Sequence, residues 1–598
     1  MHETPSRDRG AGRATGQPAR GGAFLIWSVR LAEHCETKRE RKPKGWTMVE
    51  VHPRGSDSAV RASPGVAGSL WRPFNQSTFT VLWTATLVSN IGTWMQNAAA
   101  GWLMTGLSPE PLVVALVQVA TSLPMFLFLL PAGALADIID RRRLLLVVQI
   151  AAAMIIAILS LLVLAGTVTP LILLAFTFLA GSAAALISPA WQAIVPQLVP
   201  RQDLPAAVAL NGAGVNASRA VGPALAGVII AAMGLAAPFW LNAISYLGVI
   251  AALVWWHPPG SPARHLPAER FGAAIRMGLR HARYNQELRA TVIRASGFFL
   301  FASAYWALLP LVARNQVAGG PELYGILLGV IGAGAVGGAF ALPRLKSFMA
   351  ADGLVVAGTI GTAVALFLFG FARHPAVALA ASGIAGVSWI TVVATINVSA
   401  QLALPEWVRG RGLAVFATAL FGGMTAGSAL WGQVAAMIGL SGAHFAAAAA
   451  VLAAIPLLWR WKLQAGLSVD LMPSMHWPTP ILSHDVDADR GPTLVTVEYR
   501  IDSQNREEFL AALEKFGQER RRDGAYAWRV FEDAADQGRF LETFFVESWL
   551  EHLRQHERVT LADRALQEAV QRFHVHGVPK VTHFTSADPV RPHAPKKK

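Results

Sequence analysis

Between residues 79 and 463 long apolar runs alternate with short polar breaks. The runs cover 79–104, 112–133, 144–165, 169–191, 206–230 and 236–256. After a polar, basic stretch at 257–290 come 291–313, 322–342, 353–372, 375–400, 411–437 and 441–463. A helix needs about 20 predominantly apolar residues to cross a bilayer. The pattern therefore predicts six membrane helices, a linker and six more. The halves are placed at 71–257 and 291–465, with a cytoplasmic linker at 258–290.

Composition agrees with an all-α polytopic membrane protein. Hydrophobic residues make up 53% of the 598 residues and charged residues only 15%, against about 25% charged in a soluble domain. The formal net charge of +14 does not imply nucleic acid, because the cations sit at the ends of apolar runs. Alternate loops carry Arg141–Arg143, Arg201, the arginines of 264–289, Arg344 with Lys346, and Arg409 with Arg411, while the intervening loops offer Arg314 and Arg373. The basic side is expected to be cytoplasmic, which puts both ends of the membrane part there, in a bacterial inner membrane. The single Cys35 excludes an intrachain disulfide framework and a multi-cysteine metal site. No metal and no cofactor is expected.

The two halves repeat one another. "VPRQDLPAAVALNGAGVNASRAVGPALAG" starts its proline pattern at Pro200, and "LPEWVRGRGLAVFATALFGGMTAGSALWG" starts it at Pro405, 205 residues later. At that offset Gly222 meets Gly427, Ala224 meets Ala429, Leu225 meets Leu430 and Gly227 meets Gly432; Gly133 and Gly338 share it too. A six-helix repeat in parallel halves is a transporter architecture.

The segment "GALADIIDRRR" (133–143) resembles the signature loop of the major facilitator superfamily through Gly133, Leu135, Ala136, Asp137 and Arg141–Arg143, with Asp140 where many members have glycine. "GPALAG" (222–227) is similar to the Gly-Pro motif of the antiporter branch. "FTVLWTATLVSNIGTWMQNAAAGWLM" and "LPEWVRGRGLAVF" resemble the subgroup of enterobactin exporters and transmembrane secretion effectors. The resemblance covers roughly residues 70–465 and implies a secondary transporter, not an enzyme, that exports an amphipathic organic compound, a siderophore or a drug, by alternating access. Uptake, or a fused enzyme or sensor, are the alternatives. Gating is expected at Gly133, for a tight turn and close approach, and at Asp137, paired with Arg409 or Arg411 or capping the eleventh helix. Such a contact would favour an outward-open state; Arg141, Arg142, Gly222 and Pro223 join the gating set. The alternative for the arginines is a loop that only fixes topology. Glycines four apart (Gly325/Gly329, Gly334/Gly338, Gly423/Gly427) predict close helix contacts, either within a half or between halves.

Asn90, Thr93, Trp94 and Asn97 share one face of the first helix, and polar groups in hydrocarbon need partners or a wet cavity. With Gln118, Asn216, Arg219, Tyr305, Trp306, Trp389 and Asn397 they are the candidate substrate-binding residues, with interhelical structural bonds as the alternative. The predicted spans hold no central Asp, Glu or His. Proton coupling thus follows only from the resemblance, with Asp137 at the membrane edge. Arg219, about 20 Å into its helix, either meets an anionic cargo group or bonds backbone carbonyls.

Residues 1–70 lack periodicity and read as a disordered cytoplasmic extension, in which Met48 is an alternative start. A linker is expected at 466–491, a basic tail at 588–598, and a cytoplasmic βαββαβ domain at 492–587. The latter is similar to the antibiotic-biosynthesis-monooxygenase-like, ferredoxin-like fold, a resemblance that implies a homodimer through this domain. His552 and His556 stand four apart on one helix, with no third metal ligand evident.

Overall fold

The computed structural model describes residues 69–258, 271–463, 472, 474, 476–477, 490–575 and 577–587, with backbone only at 137–138 and 271–275. Most of the 1–70 extension, Met48, most of the 466–491 linker and the 588–598 tail lie outside the described residues.

The first bundle contains α1 (Ser77–Leu107), α2 (Pro111–Ile138), α3 (Arg141–Leu164), α4 (Pro170–Leu198), α5 (Leu204–Met233) and α6 (Ala237–Trp255). A short amphipathic helix, α7 (Phe271–Tyr284), leads into α8 (Gln286–Leu311), α9 (Pro321–Phe348), α10 (Ala351–Phe371), α11 (Pro375–Leu402) and α12 (Arg409–Leu458). Ten helices among the described residues are long and apolar enough to cross a membrane. The continuous α12 is broken at Gly439, whose φ of 78° lies in the left-handed region that favours glycine. Its two arms occupy the positions of the last two apolar runs. α1 is 31 residues long but too polar to be among the ten, with Ser89, Asn90, Gln96 and Asn97 in it.

Local chemistry starts the helices where the loops end. α2, α4, α9 and α11 each open on a proline in the first turn, a position whose N–H has no helical partner anyway. Asp140 caps α3 by accepting from Arg143 N at 2.8 Å, and Asn285 caps α8 by accepting from Leu288 N at 2.8 Å.

The 205-residue offset is visible in the packing. Gly222 abuts α1 at Ile91, Trp94 and Met95, and its counterpart Gly427 abuts α8 at Leu300 and Ser303. Each half therefore uses the equivalent glycine to press the equivalent helix onto its own first helix. Buried polar pairs accompany this packing: Asn242 donates to Gln96, and Arg294 of α8 pairs with Asp352 at the start of α10.

After the membrane part comes a small α+β unit. β1 (Thr493–Arg500), α13 (Arg506–Arg522), β2 (Tyr526–Glu532), β3 (Arg539–Val546), α14 (Trp549–Arg558), α15 (Leu561–Gln571) and β4 (Lys580–Thr585) follow in that order. The sheet is antiparallel, ordered β2-β3-β1-β4. β1 alternates buried and half-exposed residues, so Val497 and Tyr499 join Phe509, Leu513, Phe516, Phe540 and Val570 in one core. The buried Glu542 accepts from Tyr499 Oη (3.0 Å) and Trp528 Nε1 (2.9 Å); a buried carboxylate without such donors would cost several kcal/mol.

This unit is seated on α7 and the loop before α12. Arg280 donates to Gly524 O at 2.6 Å, Arg276 and Arg280 face Glu547 at 3.4 and 3.5 Å, and Arg558 stacks over Trp407 at 4.5 Å. His281 is fully buried there, edge-on to Trp407 at 5.5 Å. Burial, then the charges of Arg522 and Arg558, hold its pKa down to about 3.

A second histidine group lies inside the unit. His552 sits 3.3 Å from His556 (Nε2 to Nε2) and 4.6 Å from the His583 ring centre. Burial first, then His583 and His556, lower the His552 pKa to about 3. The folded state thus refuses a proton that the unfolded chain accepts from about pH 6.5 downward. Stability from this site is present above pH 6.5 and lost as pH falls toward 3. Followed between about pH 7.5 and pH 5, the melting temperature of the tail in the full chain should lose less, or gain more, in His552→Gln than in wild type; an identical pH dependence in the two proteins contradicts the assignment.

Candidate functional site

The two bundles meet along two seams related by the repeat. In the first, α5 crosses α9: a Cβ on Gly227 would lie 2.7 Å from Pro321 O and 3.2 Å from Gly325 Cα, and one on Gly325 would lie 2.8 Å from Pro223 O. Gly329 faces Ala224, and Gly332 faces Ala220, in the same crossing. In the second, α2 crosses α12. A Cβ on Gly432, the counterpart of Gly227, would lie 2.5 Å from the Ala115 Cβ, and Ser122 and Thr425 hydroxyls hydrogen-bond at 2.8 Å. Both seams lie toward the ends where the low-charge loops are. Other glycines serve inside the second bundle. Gly334 and Gly338 face α11, and Gly423 and Gly427 face α8.

A polar latch reinforces the closure on that side. Arg314, in the turn after α8, donates to Thr105 Oγ1 of α1 at 3.0 Å and lies over the Trp102 ring at 5.9 Å. Trp102 stacks on Tyr324 of α9 at 5.9 Å. These residues escaped the sequence reading. Their one signal was that Arg314 is a rare cation among the low-charge loops, where topology does not call for it.

Toward the basic loops the picture reverses. Gln192, Asn216, Asn397 and Gln401 are exposed within α4, α5 and α11, although lipid would not solvate them. They give the basic side of the bundle a polar, exposed stretch. Asn216 returns its amide to Gly212 O at 3.0 Å, and Asn397 accepts from Gln401 at 3.2 Å.

Near the middle of α1, α5 and α11, and in the last third of α8, lies a set of polar-aromatic residues. The Arg219 guanidinium lies over Trp94 of α1 at 5.1 Å, and its charge reaches the Tyr305 phenol on α8. Tyr305 and Trp306 ring centres are 5.7 Å apart, and Trp306 and Trp389 of α11 are 5.4 Å apart. Five predicted residues from both halves are thus brought together. Asn90, Thr93 and Asn97 are half-buried on the Trp94 helix, with Thr93 bonded to Ser89 O at 3.0 Å. Gln118 is half-buried on α2, and Asn216 and Asn397 are exposed and not among the ring contacts.

The signature loop differs from expectation. Gly133 opens no loop: it lies inside α2, with nothing within 4 Å of where its Cβ would be, so neither a turn nor close packing needs glycine there. Arg142 donates to Leu253 O (2.8 Å) and Val254 O (2.7 Å) at the end of α6, and Arg141 to Ala193 O (3.2 Å). Both contacts stay inside the first half, and those of Arg142 satisfy open carbonyls at the end of α6. Arg409 faces Glu406 at 3.9 Å, and Arg411 packs beside Gly278 of α7. Asp137 is placed at the end of α2 by its backbone, and its side chain lies outside the described residues. Pro223 does not break α5, which runs on to Met233.

Comparison with known proteins gives this geometry a family. A family model described as a transmembrane secretion effector matches residues 68–590. The chain is 24% identical over 265 residues to the staphyloferrin A transporter of Staphylococcus aureus, covering 43% of this chain and 65% of that protein, just under two thirds of its length. It is 24% identical over 367 residues to the multidrug efflux pump Tap of Mycolicibacterium fortuitum, covering 60% and 88%. It is 27% identical over 331 residues to an enterobactin exporter of Citrobacter koseri, covering 54% and 77%. Among solved structures, a POT family transporter bound to 5-aminolevulinic acid aligns with a TM-score of 0.53 at 12% identity, covering 64% of this chain and 96% of that one. A point mutant of the nucleoside transporter NupG gives 0.52 at 10%, covering 64% and 99%. At such identity the two structures share the fold.

The α2–α12 seam makes a direct test. In a Cys35→Ser background, Ser122→Cys with Thr425→Cys should crosslink on mild oxidation, because their hydroxyls already touch. Protease cleavage between the halves followed by gel electrophoresis reads the bond. Absence of crosslinking would show that the seam does not close.

Proposed function

We propose an export function on one premise: the chain belongs to the transmembrane secretion effector family of the major facilitator superfamily. It is a membrane transporter, and its cargo is an amphipathic organic compound of the siderophore or drug kind carried by the relatives. The observation that carries this reading is the pair of repeat-related seams, closed on one side of a polar-aromatic group that opens on the other. Alternating access requires that arrangement, with one gate shut over a site reachable from the opposite face.

Ten apolar helices, one of them bent into two arms, plus the polar α1 support twelve crossings. Loop charge puts the basic side in the cytoplasm, so this state is open inward, ready to load cargo for export. The opposite state would be closed by contacts at the basic ends of α2 and α12, where Asp137 and Arg411 reside. In a proton-coupled cycle Asp137, at the membrane edge, is the carboxylate at which a proton exchanges against cargo.

The tail's order and antiparallel β2-β3-β1-β4 sheet support a ferredoxin-like domain. Its outer face carries a row across all four strands, Tyr526–Phe545–Leu494–Phe584, set by the strand register. Phe584 is 52% exposed, and a neighbouring pair, Phe531–Leu541, widens the patch. A second copy covering this face makes the chain a homodimer, since apolar sheet faces of this kind are interaction surfaces.

Everted membrane vesicles containing the protein should accumulate at least one amphipathic siderophore or dye several-fold over empty vesicles, with or without an imposed pH gradient. Accumulation of nothing across such a panel under any gradient would sink the export reading. For the tail, single-molecule mass measurement in detergent should show dimers that Phe584→Asp converts to monomers. A monomeric wild-type chain would remove the dimer.

A further inference from the structure

The group at the centre of the membrane part has a chemical bias that its position alone does not explain. Arg219 has no carboxylate in salt-bridge reach among the described residues, and its Nε is buried without a hydrogen-bond partner. The Trp306 and Trp389 Nε1 atoms are also buried and unpartnered, as is the hydroxyl of the fully buried Tyr305. Trp306 lies toward the Tyr305 hydroxyl, yet neither atom has a partner of good geometry. An arginine and an indole can only donate, and a phenol donates readily. Three unsatisfied donors from α8 and α11 thus stand in one ring cluster, and a fourth, carrying a full positive charge, lies over Trp94 on the facing half.

An unpaired cation inside the bilayer is costly and is retained for function. Each buried donor left without an acceptor adds an uncompensated desolvation cost. The same cost is removed at once by one ligand group that is anionic and has several acceptor oxygens. A carboxylate or catecholate does both, since it can take two parallel N–H bonds from a guanidinium and further bonds from the indoles. The rings of Trp94, Trp306 and Trp389 supply flat apolar walls for the aromatic or aliphatic body that carries the anion. The repeat adds an argument. Arg219's counterpart at the 205-residue offset is Met424, buried against the core of the other half. The cation is therefore not part of the shared scaffold that both halves need in order to pack.

We infer that Arg219, Tyr305, Trp306 and Trp389 form a donor-only cradle for the anionic head of the cargo, making this transporter selective for amphipathic organic anions. The inference rests on the export reading only for the word cargo; the binding preference stands or falls by itself.

The test uses the full chain in lipid nanodiscs and two probes that differ in charge alone, naphthoate and its methyl ester. Wild type should bind the acid about tenfold or more tighter than the ester, a difference of about 1.4 kcal/mol. Arg219→Gln should abolish that preference by weakening the acid while leaving the ester within about twofold. Arg219→Lys, which keeps the charge and loses the fork, should retain only part of it. Tyr305→Phe keeps the ring and removes one donor, and Trp389→Phe keeps an aromatic, smaller ring and removes one donor, so both should reduce the acid-to-ester ratio several-fold even if the Arg219 variants fail to fold. Equal binding of acid and ester by wild type, binding of neither, or ratios unmoved in the folded variants would overturn the cradle. Vesicle flux of neutral dyes without an acid preference in binding leaves export standing and removes the cradle. An acid preference without flux of any compound does the opposite.

Discussion

The closure of this molecule depends on how near two backbones can come at the α5–α9 crossing. Gly227 and Gly325 leave no room for a Cβ on either side, so the helices meet main chain to main chain. In a bilayer, apolar side chains gain nothing by leaving lipid for one another, and helix association rests on close van der Waals fit. Small residues provide that fit over a long contact line. Side-chain bonds such as Ser122–Thr425 and Arg314–Thr105 add register to it. Many weak contacts of this kind hold a state without making it permanent, as a transporter that must rock between states requires.

The same crossing connects the gate to the central cluster. α5 carries Pro223 and Gly227 in the seam and Arg219 about one turn before them. A shift of α5 against α9 must therefore carry the guanidinium past Tyr305, which belongs to the other half. The cation and its aromatic neighbours do not form a fixed pocket in one bundle; they are assembled by the contact between bundles. The tail unit sits on α7 and beside Trp407, next to the start of α12, so it follows the second half and the linker helix.

Much of this was legible in the chain. The apolar runs coincide with the ten helices among the described residues that are long and apolar enough to cross a membrane, because the lipid core demands an uninterrupted apolar surface of fixed length. The internal repeat located the glycines that matter, and α9 illustrates its limits. Gly325 and Gly329 face the other half while Gly334 and Gly338 face α11, with the same spacing in each pair. Spacing states that a helix has a smooth face; it does not say which neighbour will use it. Arg142 is a similar case. It reads as a gate residue in the signature loop, yet it caps the end of α6, more than 100 residues away in sequence.

The sequence by itself determined the membrane class, the 205-residue offset between equivalent glycines, the basic loops and the α+β tail, since each follows from local hydropathy, charge, spacing or strand period. Only the tertiary structure decided which side of the bundle is shut, which glycines make the seam, that Arg314 latches it, and that Arg219 and three other unpartnered donors lack an acidic partner among the described residues. Those features arise where segments more than 80 residues apart in the chain meet. Their geometry depends on the relative placement of two bundles, which no local pattern encodes.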